Sequence, residues 1–126
     1  MRNDKIINEI RIRLGAPTIA IELIDEQIKE AIRIAKEEFT FITSSVGITP
    51  RLGVKNIWIK RYTLAVCKEM LGRIRGKFEK IPMSENGNEM DAKALLKEST
   101  DEKNLLFRMC INQTPEQFIL LGKDKI

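Results

Sequence analysis

VKNIWIKRYTLAVCKEMLGRIRGKFEK, residues 54–80, is the stretch on which the fold turns. Ile57, Leu64, Leu71 and Phe78 fall seven apart, and Cys67, Ile74 and Ile81 form a companion set in which Lys60 is the exception. A seven-residue apolar repeat marks a long helix whose seam faces another helix. Trp58, Ala65 and Gly72 make an adjoining row that shrinks along the helix. Interior glycine costs about 1 kcal/mol relative to alanine. Its place on that row therefore points to another backbone passing close at Gly72. Gly76 reads as lying on the opposite, polar side beside Arg75 and Lys77, open to a neighbouring subunit or a DNA backbone. The helix over 54–80 is the expected centrepiece of a small all-α bundle.

The same stretch carries the charge signal. Residues 55–80 hold eight cations against Glu69 and Glu79. Residues 22–38 hold six carboxylates against three cations, and residues 81–102 hold six against Lys93 and Lys97. The net charge of +4 is modest, so the separation of signs is the informative part. Such a chain can stack on copies of itself or turn one basic face to a polyanion. Arg61, Lys68 and Arg75 step by seven and share a flank, and Arg73 and Lys77 add to it. Three readings stand for these cations: DNA proximity, pairing with a neighbouring subunit, or a solvated face. Trp58 and Tyr62 are able to stack on bases, but at these positions the core claims them.

Working outward towards the N-terminus, Asn3 is positioned to cap a first helix with Ile6, Ile7, Ile10 and Leu14 at helical spacing and Gly15 ending it. Pro17 blocks continuation. Ile19, Ile21 and Leu23 then alternate with Ala20 and Glu22, which predicts a short extended segment or strand near 16–23. Asp25 is the expected cap of a second helix over 25–43, with Ile28, Ala31, Ile32, Ala35, Phe39 and Ile42 buried. Gly47, Pro50 and Gly53 break it.

Towards the C-terminus, Pro82, Asn86 and Gly87 predict a loop, and Asp91–Lys97 one or two helical turns. Ser99 with Glu102 has the form of a capping box opening a helix over 100–111, with Leu105, Leu106, Met109 and Cys110 inward. Thr114, Pro115 and Gln117 repeat that form. Phe118, Ile119, Leu120 and Leu121 are four consecutive apolar residues that no amphipathic face hides. They predict docking, on their own domain or on a partner chain. The chain thus divides into a helical domain, 1–113, and a docking tail, 114–126.

At 126 residues the length suits one domain. No apolar run is long enough to span a membrane. The first residues lack the apolar block of a leader, so the chain reads as retained in the cytoplasm where it is made. Cys67 and Cys110 read as buried free thiols. Histidine is absent, which removes the usual general base and the commonest metal ligand. Glu37 and Glu38 adjoin but point about 100° apart. No enzyme, no metal and no cofactor is the expectation.

RLGAP (13–17), ELIDEQIKEAIRIAKEEF (22–39), YTLAVCKEMLGRIRGKF (62–78) and IP (81–82), in that order, resemble the neck proteins of tailed bacteriophages, also called head-to-tail connector, adaptor or head-completion proteins. The resemblance covers roughly residues 11–110. Ile24 departs from it, standing where such proteins carry a capping Thr or Ser. The resemblance implies a largely helical subunit of a ring, commonly of twelve copies, beneath the portal of the capsid. That ring would extend the DNA channel towards a further neck or tail protein, touching duplex DNA without sequence preference, and the C-terminal tail would dock on the portal. Assembly in the bacterial host cytoplasm and residence in the virion neck follow from it. On this view acidic and basic segments of neighbouring copies meet head to tail. The alternative is a sequence-specific or architectural DNA-binding helical protein. It lacks compact helix-turn-helix spacing and the Asn and Gln that read bases.

Overall fold

Among the residues described by the computed structural model, 3–47, 50, 52–78 and 86–112, four helices follow one another and no strand occurs. They are α1 (Asn3–Leu14), α2 (Asp25–Val46), α3 (Leu52–Phe78) and α4 (Asn86–Asn112). The architecture is an all-α small bundle.

α1 buries Ile6, Ile7 and Ile10. It ends where Gly15 takes a φ of 120°, a conformation open to glycine. The amide of Gly15 donates to the Ile12 carbonyl at 3.1 Å and that of Ala16 to Arg11 at 3.0 Å. The alternating segment that follows is not a strand. No second strand lies beside it among the described residues, and its apolar residues are not equivalent: Leu23 is buried, Ile21 half-buried and Ile19 exposed.

α2 begins without the expected cap. Ile24 occupies the N-cap position and its side chain has no oxygen to offer. Gln27 compensates from the third helical position, its Oε1 accepting the Ile24 N–H at 2.9 Å. Asp25 lies instead in the first turn, where the helix dipole favours a carboxylate. Its Oδ1 accepts from Arg11 Nη2 at 2.6 Å and ties α1 to α2. At the other end α2 runs on to Val46 rather than stopping at 43. The hydroxyls of Thr43 and Ser45 donate to the carbonyls of Phe39 and Phe41, each at 2.8 Å, so these residues are satisfied inside the helix. Gly47, at φ 79°, closes it with an N–H to the Thr43 carbonyl.

α3 is not a lone centrepiece. It is one arm of an antiparallel hairpin whose other arm, α4, is equally long at 27 residues. From residue 86 on, the loop predicted from Pro82, Asn86 and Gly87, the short turns at 91–97 and the separate helix from 100 are one continuous helix. Ser99 is not its cap. It sits in the interhelical seam, 1% exposed, with its hydroxyl unpaired. Neither Gly nor Pro interrupts residues 88–112, and the apolar positions facing α3 carry the helix through the polar pattern. The α3–α4 packing is the most extensive in the molecule.

Two apolar clusters fill the interior. One joins Ile6, Ile7, Ile10, Leu23, Ile28, Ile32, Val66, Cys67, Leu71 and Leu95 from all four helices and the segment before α2. The other gathers Ala35, Phe39, Ile42, Trp58, Ile59, Leu106 and Cys110. Trp58 anchors the second. It meets the Phe39 ring edge-on at 5.1 Å, stacks on Tyr62 at 4.9 Å, and donates its indole N–H to the Leu106 carbonyl at 3.1 Å. That bond fixes the α3–α4 register, and each fully buried side chain of this size contributes about 1.5–3 kcal/mol. The expected burial of Trp58 and Cys67 is observed, and both aromatic rings are engaged with the protein itself. Burial pushes the Cys67 thiol up to about 12 and Cys110 to about 11, so both are inert at neutral pH.

Candidate interaction surfaces of the α3–α4 hairpin

The heptad on α3 that the sequence marks as basic runs along one edge of the seam. Arg61 Nε donates to Glu102 Oε1 at 2.6 Å. One heptad on, Lys68 Nζ lies 3.2 Å from Glu98. One heptad further, Arg75 grips Glu22 at 2.9 Å and Asp91 as well. The Arg75 side chain is only 16% exposed. Its hydrogen bond holds the Glu22 carboxyl below the usual carboxylate range, and Glu22 with Asp91 pushes the guanidinium up. On the other edge of the seam Lys103 reaches back to Glu69 at 3.0 Å, and away from the seam Lys60 ties α3 to Glu9 of α1 at 3.2 Å.

These pairs bear on the separated charge of the sequence. Glu22 from the first acidic stretch and Asp91, Glu98 and Glu102 from the second pair with Arg75, Lys68 and Arg61 of the basic stretch within one chain. An antiparallel hairpin places α4 carboxylates beside α3 cations at matched heights, and Glu22 closes the end of the row. The signal for this was present in the spacing: Asp91, Glu98 and Glu102 sit seven and four apart on one flank of α4. The presumed break before residue 100 hid it.

Arg73 and Lys77 are placed differently. They are four apart on α3, on a flank turned away from the paired row, and both are exposed. The Arg73 side chain is 70% exposed and lies 3.7 Å from Glu69.

At Gly72 a Cβ would stand 3.1 Å from the Ala92 carbonyl oxygen and 3.0 Å from Leu96 Cγ. The α4 backbone crosses α3 at this point. Gly76 does not lie on an opposite polar side. Residues four apart share a helix face, and a Cβ at Gly76 would meet Ala92 Cβ at an ordinary 3.8 Å.

A groove of about 630 Å³ opens between the end of α1, α3 and α4. Leu64, Ala65 and Leu105 form its floor, and Arg13, Arg108 and Asp101 stand on its rim with the Arg61–Glu102 and Lys68–Glu98 pairs. The sequence gives no sign of it, because Leu105 reads as inward and nothing in the spacing marks Arg13. Among the described residues no group of three or more His, Cys, Asp or Glu is placed to hold a metal ion. No helix among them is long and apolar enough to cross a membrane.

The family model of the Bacteriophage T4 neck protein gp13 matches residues 53–122, more than half of the chain. The chain belongs to that family. No curated protein matches it, and no solved structure does. The matched stretch opens at the second residue of α3, takes in the whole hairpin and continues past α4. Gly72, Gly76 and all five basic candidates lie within the matched stretch. The tail residues Phe118, Ile119, Leu120 and Leu121 fall inside the match but outside the described residues, as do the second capping box at 114–117 and residues 79–85.

Proposed function

We propose that this chain is a structural subunit of an oligomeric ring in the neck of a tailed phage, joining the portal to the tail and extending the DNA channel. The observation that carries the reading is the family match across the α3–α4 hairpin. The role is architectural rather than catalytic, with no cofactor. A ring of about a dozen identical copies, closed by a heterologous interface, is the assembly that suits a channel.

The hairpin geometry sharpens which residues take part. Arg61, Lys68 and Arg75 are engaged within the chain and hold the subunit together. Arg73 and Lys77 are the pair on this helix turned outward, and these are the cations proposed to face DNA. Point charges on flexible stems attract phosphate without reading sequence, which suits a duplex that must slide. The exposed Ile12, Ile19 and Ile24 at the α1–α2 corner form the apolar surface a neighbouring copy would cover. A sequence-reading helix is disfavoured, since three of the cations it would use are committed in cis.

The test is mass. Native mass spectrometry of the purified chain, alone and with the portal protein of its phage, should give a closed multiple of the subunit mass, near twelve. A protein that stays monomeric at all concentrations, with and without portal, contradicts the ring.

A further inference from the structure

The floor of the α1–α3–α4 groove is apolar and its rim is charged, which is the pattern of a site for a short amphipathic segment. Its volume, about 630 Å³, falls within the roughly 300–1,000 Å³ of sites that enclose a few side chains' worth of ligand. We propose that the occupant is the apolar run Phe118–Leu121 of the same chain, folded back after α4 over the α3–α4 seam.

Position supports this. α4 ends at Asn112, four residues beyond Arg108 on the groove rim. Residues 113–117 separate the helix end from the run. Five residues reach about 17 Å when extended, enough to reverse and return beside one or two helical turns of about 5.4 Å each. Chemistry supports it as well. The run needs an apolar floor, and Leu64, Ala65 and Leu105 supply one. Glu116 precedes the run and Asp124 follows it, while Arg13 and Arg108 stand exposed on the rim. Lys123 and Lys125 follow the run in sequence, and Asp101 stands on the same rim.

The run also lies in the same family match as two of the three groove walls. The match covers 53–122 and ends one residue after Leu121, leaving α1, α2 and the rest of the chain before α3 outside. Hairpin and apolar run therefore fall in one contiguous unit. The choice of the same chain over a second copy follows from effective concentration. A tether of a few residues holds the run at millimolar levels beside its own groove.

Disulfide trapping in the full chain tests this. Phe118→Cys and Leu120→Cys are each combined with Arg13→Cys or Leu64→Cys across the groove, and with Arg73→Cys on the other flank of the hairpin as a control. Cys67 and Cys110 do not compete, since burial keeps them protonated. Oxidation with copper phenanthroline at low micromolar protein is followed by mass and non-reducing gels. The inference expects intrachain closure with Arg13→Cys or Leu64→Cys roughly tenfold faster or more than with Arg73→Cys. Arg13 is exposed, so that variant tests the idea even if Leu64→Cys disturbs folding. Closure only between chains overturns it in favour of a second copy's groove. Rates equal to the control overturn it altogether. Because closure is read on single chains, failure of ring assembly leaves this test intact.

Discussion

Arg73 and Arg75 stand two residues apart on α3 and occupy different worlds. Arg75 is clasped by Glu22 and Asp91 at the edge of the seam, while Arg73 reaches into solvent with Glu69 at 3.7 Å. A helix turns about 100° per residue, so two positions separate a structural cation from an available one. The run of positive charge that looks like one surface in the sequence is two. One flank is neutralised by the chain's own carboxylates and the other is left outward.

The sharpest break in this comparison comes at the crossing between the two flanks. Gly72→Leu should lower stability by about 3 kcal/mol, because the Ala92 carbonyl oxygen already stands 3.1 Å from where a Cβ would be. Gly76→Ala, with its nearest neighbour at 3.8 Å, should leave stability unchanged or raise it by about 0.5 kcal/mol. Urea midpoints measure both, and equal midpoints would show that α4 does not cross at Gly72.

Next in size is the charge contrast itself. Arg75→Glu sets a carboxylate against Glu22 and Asp91 and should cost about 2 kcal/mol. Arg73→Glu should stay within about 0.5 kcal/mol of the parent. A similar loss from both would mean that the two flanks are not distinct.

Ser99→Ala removes a seam hydroxyl that is unpaired in the structure. Relief of that desolvation should stabilise by about 1 kcal/mol, read as a higher melting temperature. A lower one would reveal a partner for the hydroxyl.

The smallest effect is in the pH dependence. Glu22 is held below its ordinary value of 4.5 by Arg75. A depressed folded-state pKa gives stability that is present above the unfolded value and lost as pH falls through the folded one. Arg75→Gln should therefore flatten the acid limb, and its deficit relative to the parent should shrink as pH drops below about 4.5. A deficit constant down to pH 2 would disconnect Glu22 from Arg75.

Much of this was legible in the sequence. The heptad on 54–80, the second helix and the shrinking row Trp58, Ala65, Gly72 are periodic signals, and periodicity is what burial on one helix face writes into a chain. The family resemblance rested partly on residues 62–78, which lie within the matched stretch. What misled was local polar chemistry. Ser99 and Glu102 have the spacing of a cap, but tertiary packing against α3 holds both in mid-helix, and Glu102 turns to Arg61 instead. Gly76 reads as polar-side from its neighbours Arg75 and Lys77, yet it lies one turn from Gly72 and faces Ala92. The capping-box spacing at Ser99 and Glu102 in turn conceals that Asp91, Glu98 and Glu102 are partners of α3 cations within one molecule. The groove was illegible because it is made where three helices fail to meet, and no single stretch encodes that.

The central claim is that α3 divides its cations between holding the fold and facing DNA. The salt dependence of binding to a random-sequence duplex by the assembled protein tests it most directly. Arg73→Gln with Lys77→Gln should reduce the slope of log K against log salt by about 2 per engaged subunit, roughly one for each phosphate no longer neutralised. Arg61→Gln with Lys68→Gln should leave that slope unchanged while lowering the melting temperature. The reverse pattern, or no salt-dependent binding by the parent assembly, would contradict the account.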